Sequence, residues 1–394
     1  MATRTRVVWD EQFTHYDFGT HHPMDPVRLD LTARLARSLG LFDLPGVQVA
    51  GAGIADDALL ATVHDPAYVA AVRAASADPA AADGARGLGT DDDPAFTGMH
   101  EASARIVQGS VDAAEQVWSG AMDHAVNFCG GMHHAMRDRA SGFCIYNDTA
   151  AAAQRLLDAG ARKVAYVDVD VHHGDGTQSL FWDDPRVMTI SVHQSGRTLF
   201  PGTGYADDLG GEAATGESVN VALPAGTGDA GWLRAVHSVV HPLVRSYRPD
   251  VLVTQHGCDT HYLDPLAHLA VSVDAQRVVA ESLHDLAHEV CDGRWLATGG
   301  GGYEVIDVVP RAWSHLTAIA AHAPVEPTTN VPAEWTEYVR ERFGRVAPRR
   351  MTDGRDASWR PWETGYDPHD AVDRAIMATR KAVFPLHGLD PYFD

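Results

Sequence analysis

The stretch "YVDVDVHHGDGTQ", residues 166–178, places five Asp or His side chains among thirteen positions, directly behind the apolar start "VA" at 164–165. A strand buried on both faces reads as a continuous apolar run. Carboxylates and imidazoles that crowd its end need a task. The run is therefore read as a buried strand that delivers Asp168, Asp170, His172 and Asp175 to a site just beyond its carboxyl end.

Similar short apolar runs lie on either side. They are residues 5–9, "HAVNF" (124–128), "RVMTISVH" (186–193), "SVNVALP" (218–224), "DVLVTQHG" (250–257) and "RWLATGG" (294–300). Helical spacing is expected over 26–39, 97–119, 147–159, 229–246 and 272–291, with two helical pieces broken at Asp65-Pro66. Strands alternating with helices argue for a parallel sheet covered on both faces. Ligands in such sheets bind beyond the carboxyl ends of the strands. Polar clusters follow four of these ends: "GGMHHA" (130–135), "HHGDG" (172–176), "GCDTH" (257–261) and "GGGY" (300–303). From about residue 322 the texture changes to Pro, Trp and charge, which marks a C-terminal extension over 322–394 with one more helix at about 369–383. Its aromatic content favours packing on the core, because disordered segments are poor in aromatics.

Composition narrows the function classes. The chain has 394 residues, 31 Lys plus Arg and 53 Asp plus Glu, for a formal net charge of −22. That field repels nucleic acid and anionic membrane and attracts cations. The four cysteines, Cys129, Cys144, Cys258 and Cys291, form no CxxC pair, so neither a zinc ribbon nor a disulfide framework is expected. The start "MATRTRVVWDEQF" has no apolar signal core, and no run approaches the length of a membrane span. A cytoplasmic enzyme is expected.

Asp170 and His172 are two apart, and on an extended segment they point the same way. A carboxylate and an imidazole side by side make two legs of a metal site, and Asp259 at the end of another strand supplies a third. Three protein ligands leave a position open for catalysis. His133 and His134 follow a glycine pair, and each ring needs a partner to fix its tautomer. Asp168 and Asp175 flank Asp170 and His172 and could supply the two carboxylates. Tyr303 follows four glycines that allow close backbone approach, and its hydroxyl could donate to a developing oxyanion. Phe143 and Phe200 could form two walls of a narrow channel. "GTGDAG" (226–231) matches a dinucleotide fingerprint, but its preceding strand ends in Leu223-Pro224 and Asp229 reads as a helix N-cap.

Taken together, "GGMHHA", "SGFCIYND", "VDVDVHHGDG", "LFPGTG", "GCDTHYLDPLAHL" and "GGGGY", in this order, resemble the zinc-dependent histone deacetylase family. With "HPMDPVRLDLT" and "GLGT", the chain is most similar to its bacterial acetoin-utilization deacetylases. The resemblance implies an α/β arginase/deacetylase fold, a single parallel sheet of about eight strands flanked by helices on both faces. It implies a catalytic domain over 1–321 with the extension packed on it. It implies Zn2+, with Fe2+ as the alternative, held by Asp170, His172 and Asp259. His134 would act as general base and then acid, held by Asp175. His133, held by Asp168, would assist electrostatically, and Tyr303 would polarise the amide carbonyl. Phe143, Phe200 and Leu266 would line a tunnel, Gly142 would offer its carbonyl to the substrate, and Asp92 in "TDDDP" would grip the substrate backbone. A structural potassium ion would bind Asp168, Asp170, His172, Ser191 and Val192.

The implied reaction removes acetyl, or another acyl group, from lysine on a protein, with acetylated acetyl-CoA synthetase the candidate carried over from those relatives. Two other readings are an acetylpolyamine amidohydrolase and a non-catalytic acyl-lysine binding protein. The first usually has an inserted loop narrowing the entrance, and no large insertion separates the motifs here. The second would be signalled by loss of a ligand, a histidine or the tyrosine, and all are present. Neither nucleic acid nor membrane is expected as a partner, and the oligomeric state is left open.

Overall fold

The computed structural model describes residues 3–394. Eight strands form one sheet: β1 (Thr5–Val8), β2 (Val47–Ala50), β3 (His124–Asn127), β4 (Val164–Asp168), β5 (Val187–Gln194), β6 (Ser218–Leu223), β7 (Val251–Gln255) and β8 (Trp295–Thr298). Their spatial order is β2-β1-β3-β8-β7-β4-β5-β6, and every pairing is parallel. All residues of β3, β4, β7 and β8 are buried. The helix Met99–Trp118 packs with Asp148–Asp158, and Val309–Ala320 packs with Val27–Ser38 and Val273–Cys291. These two groups of helices cover the sheet, which is why its central strands are apolar throughout.

The order of the strands positions the site. The chain crosses from β3 to β4, runs outward through β5 and β6, then returns to fill the gap with β7 and β8. The four adjacent central strands therefore come from distant parts of the sequence. Their carboxyl-end loops carry the four polar clusters. β2 is absent from the sequence reading. It is a four-residue edge strand, only partly buried, with too little apolar pattern to stand out.

The expected helix at 229–246 spans Asp229–Tyr247 and contains a wide turn over Val236–Val240. Pro242 has no N–H to give the carbonyl of Ser238, so the helical ladder shifts there. The buried guanidinium of Arg380, from the C-terminal helix Ala371–Val383, donates to that carbonyl instead. Asp229 does not cap its own helix. Gly228 holds the cap position, and the Asp229 carboxylate accepts from the backbone N–H and hydroxyl of Ser272, at 2.6 and 2.8 Å, where the next long helix begins.

In the last seventy residues, Trp335 is buried with Leu31, Leu35, Val339 and Met351, and its indole N–H donates to the carbonyl of Leu31 at 2.9 Å. Trp362, Ile376, Met377, Val383 and Phe384 join the main core. Arg234 is buried and pairs with Asp373 at 2.6 Å. The four cysteines are free and buried. Among the described residues no helix is long and apolar enough to cross a membrane.

Candidate active site

Beyond β4 the chain leaves the extended conformation, so Asp170 and His172 do not meet as alternate residues of a strand. They meet through a turn. The Asp170 carboxylate accepts from the backbone N–H of His172 at 2.9 Å, which folds the imidazole back onto it. Nδ1 of His172 then lies 3.1 Å from Oδ1 of Asp170 and 3.1 Å from Oδ2 of Asp259, which follows β7. The other oxygens are held elsewhere. Oδ2 of Asp170 accepts from Gln255 and from the N–H of Gly301, both at 2.8 Å. Oδ1 of Asp259 accepts from the N–H of Val171 at 3.0 Å. Gly257 and Gly301 come so close that a Cβ on either would stand 1.9 Å from a carboxylate oxygen of the pair.

This donor set fits a divalent metal. The three facing atoms lie within 4.8 Å of one another and all three residues are buried. One imidazole N–H cannot serve two buried carboxylates in full. Burial and the facing Asp170 charge push the Asp259 carboxyl up.

Two carboxylate–imidazole dyads adjoin the triad. Nδ1 of His133 is 2.7 Å from Oδ2 of Asp168, and that oxygen also accepts from the Tyr166 hydroxyl at 2.7 Å. Nδ1 of His134 is 2.6 Å from Asp175. The rings stand 4.0 Å apart between centroids. Their environments differ. Burial lowers His133, but Asp168 and Asp170 overcome it and lift the imidazole to about 9. Burial and the neighbouring His133 hold His134 down to about 4, against the pull of Asp175. His134 is thus the ring in the neutral, proton-accepting form. His173 takes no part, since its nitrogens are engaged by Thr203 at 2.8 Å and Gln178 at 3.0 Å.

Tyr303 directly follows the glycine run. Burial and the Asp259 and Asp170 charges keep its phenol protonated, well above the usual range. Among the described residues its hydroxyl has no protein hydrogen-bond partner, while its backbone N–H donates to Asp264 at 2.9 Å. Arg28, buried in the first helix, donates to the carbonyls of Gly300 and Gly302 at 2.8 and 3.2 Å and fixes the glycine run.

The two expected wall residues come from different loops. The Phe143 ring packs edge-on to Tyr303 at 5.8 Å. The Phe200 ring packs against His134 at 5.1 Å and His172 at 6.3 Å and is 45% exposed. Phe143 has φ of 67°, a conformation an aromatic residue adopts only when held. The hold includes the Tyr16 hydroxyl, which donates to the Phe143 carbonyl at 2.7 Å. Asp92 accepts from the N–H of Gly142 at 2.8 Å, and the Gly142 carbonyl takes only a weak Cys144 thiol contact at 3.3 Å. Leu266 is half-buried in the loop after β7, next to the Asp264 that holds Tyr303. Ser191 and Val192 lie on β5, where Ser191 pairs in register with Asp168 on β4. The Ser191 hydroxyl is 2.8 Å from Nδ1 of His193.

Sequence reasoning does not single out Tyr166, Gln255, Asp264 or Arg28. Tyr166 and Asp264 stand inside the quoted motifs "YVDVDVHHGDGTQ" and "GCDTHYLDPLAHL", and Gln255, the last residue of β7, was visible as a polar residue at a strand end. Arg28 lies in "HPMDPVRLDLT", but only the tertiary fold brings it to the glycine run.

The model of the histone deacetylase domain matches residues 22–320. The chain is 38% identical over 351 residues to the acetoin utilization protein AcuC of Bacillus subtilis (strain 168), covering 89% of this chain and 90% of that protein. It is 36% identical over 354 residues to the acetoin utilization protein AcuC of Staphylococcus aureus (strain MSSA476), with the same coverage. The protein of that name from Staphylococcus xylosus is 36% identical over 338 residues, covering 85% of this chain and 87% of the relative.

Proposed function

The chain belongs to the histone deacetylase family and is a deacetylase, and from that premise we propose that it hydrolyses the amide of acyl-lysine side chains on proteins. The observation that carries this reading is the convergence of the buried Asp170–His172–Asp259 triad, two oriented imidazoles and a free phenol behind two aromatic walls.

Asp170, His172 and Asp259 would hold Zn2+ or Fe2+, which when bound supplies Lewis acidity to the attacking water and the amide carbonyl. Every other part falls to the chain itself. Phe143 and Phe200 flank the lysine stem and exclude water. The Gly142 carbonyl accepts from the amide N–H, and Asp92 holds that loop while presenting its second oxygen at the rim. His134, its Nδ1 tied to Asp175, takes the proton of the attacking water at Nε2 and returns it to the departing lysine amine. His133, tied to Asp168, places positive charge beside the developing oxyanion, and the Tyr303 hydroxyl donates to the same oxygen. Asp168, Asp170, His172, Ser191 and Val192 would hold a potassium ion that orders the loop after β4. The acidic surface suits a lysine-rich protein in the cytoplasm, and acetylated acetyl-CoA synthetase is the candidate that the resemblance to the acetoin-utilization deacetylases implies.

The test is turnover by purified protein on lysine peptides with different acyl groups, on acetylated acetyl-CoA synthetase and on N-acetylspermidine. Faster turnover of the peptides and the protein supports the proposal. Preference for the polyamine would replace it with an acetylpolyamine amidohydrolase. Binding of acyl-lysine without turnover, in metal-loaded protein, would make the chain a reader of the modification.

A further inference from the structure

The amino ends of the strands, opposite the site described above, carry a second histidine cluster. His124 opens β3. His284 and His288 lie one turn apart on the helix Val273–Cys291, which leads into β8. His322 stands two residues beyond the helix Val309–Ala320. Strand register sets His124 beside Trp295, the first residue of β8, and the Trp295 ring packs against His124 and His284 at 5.9 and 5.6 Å. A left-handed backbone at His322, with φ of 53°, lies just past the end of its helix.

The four Nε2 atoms converge. Nε2 of His322 is 2.9 Å from that of His124, 2.8 Å from that of His284 and 3.3 Å from that of His288. The His288 and His124 atoms are 3.2 Å apart. A neutral imidazole nitrogen either donates one hydrogen or offers one lone pair. Four such atoms make at most two hydrogen bonds, yet four contacts have hydrogen-bond length. His322, His124 and His288 contact one another in a closed triangle, so at least one contact sets hydrogen against hydrogen or lone pair against lone pair. Asp285 pairs with the other nitrogen, Nδ1 of His284, at 3.1 Å, which leaves Nε2 of that ring with its lone pair. Among the described residues no carboxylate joins the four nitrogens.

Four lone pairs turned inward on one cation remove every conflict. A tetrahedral ion with metal–nitrogen bonds of about 2.0–2.1 Å would need nitrogens about 3.3–3.4 Å apart, close to the longer contacts here.

We propose that His124, His284, His288 and His322 form a second metal site, a closed four-imidazole site for a divalent first-row transition ion, with zinc the tetrahedral fit. All four ligands come from the chain, so no position is left for substrate and the site is structural. It ties the start of β3, the helix entering β8 and the segment after Val309–Ala320, joining residues 198 apart in sequence. It does not depend on the catalytic reading, since none of its ligands touches the triad.

The test uses tag-free, metal-stripped protein titrated with Zn2+ and, separately, Co2+. The wild type should take two equivalents. Asp259→Asn, which disrupts the triad, should keep one, with the visible absorption of tetrahedral Co2+. The double variant His288→Gln, His322→Asn should also bind one, with a Co2+ spectrum different from that of Asp259→Asn. Both positions are exposed, and Asn tolerates the left-handed backbone at 322, so this variant should fold. Zn2+ should raise the Tm of Asp259→Asn but not that of the triple variant Asp259→Asn, His288→Gln, His322→Asn. A stripped Asp259→Asn chain that takes up no metal, or a double variant that still binds two equivalents, overturns the proposal.

Discussion

Nε2 of His261, two residues beyond Asp259, donates to the carboxylate of Asp353 in the C-terminal extension at 2.8 Å. The same carboxylate accepts from the N–H of Val273 and from Arg311, each at 2.8 Å. The extension thereby anchors the loop that carries Asp259. Arg311, His261 and Asp353 are all nearly buried. Breaking such a group on one side costs about 3–5 kcal/mol, so Asp353→Asn is expected to lower unfolding stability by that order at pH 7.

The loss should depend on pH. Burial opposes ionisation of Asp353, but His261 and Arg311 outweigh it and hold the carboxyl well below its usual range. A depressed carboxyl contributes stability above its unfolded value, near 4, and loses it as pH falls below. The gap between wild type and Asp353→Asn in urea unfolding should narrow from pH 5 to pH 3. A gap of constant size would show that the carboxylate charge is not what stabilises the loop.

Asp93 carries the opposite sign. It is buried, one of its oxygens has no partner, and burial with the neighbouring Asp92 lifts it to about 8. The folded chain then holds a proton that the unfolded chain releases near pH 4. Stability falls as pH rises from about 4 to about 8, and each unit of separation is worth about 1.4 kcal/mol. Asp93→Asn should be the more stable chain at pH 8 and show a flatter stability profile over that range. Equal thermal unfolding of the two chains at pH 8 would refute this.

On the proposed mechanism His134→Ala should lose turnover while retaining metal, because the ring would carry the proton and is not one of the three proposed ligands. Asp175→Asn should cost less, since it alters the tuning and orientation of His134 at 2.6 Å without removing it. Steady-state kinetics with metal analysis separates the two. If His133→Ala proves far more damaging than His134→Ala, the roles of the two rings are exchanged.

Tyr303→Phe should keep fold, metal and substrate binding and lower kcat by about a hundredfold or more, the cost of one oxyanion donor. Single-turnover measurements read the chemical step directly. An unchanged single-turnover rate would mean that another group donates to the oxyanion.

The polar clusters that converge in the candidate site were legible in the sequence, because strands buried on both faces are conspicuous and polar residues at their ends stand out against them. Asp170, His172, Asp259 and Tyr303 could be picked out on those grounds alone. Strand order could not. β7 and β8 sit between β3 and β4, and no local pattern encodes which distant strands pair. The turn that joins Asp170 to His172 was likewise hidden, since alternation along an extended strand suggests the same meeting by a different backbone path. Asp353 looked like one acid in a charged tail, and its partner lies 92 residues away. The cluster at the strand amino ends is the clearest case. Only the spacing of His284 and His288 is local. His124 and His322 reach them through sheet register and the return of a helix, contacts set by packing of the whole chain.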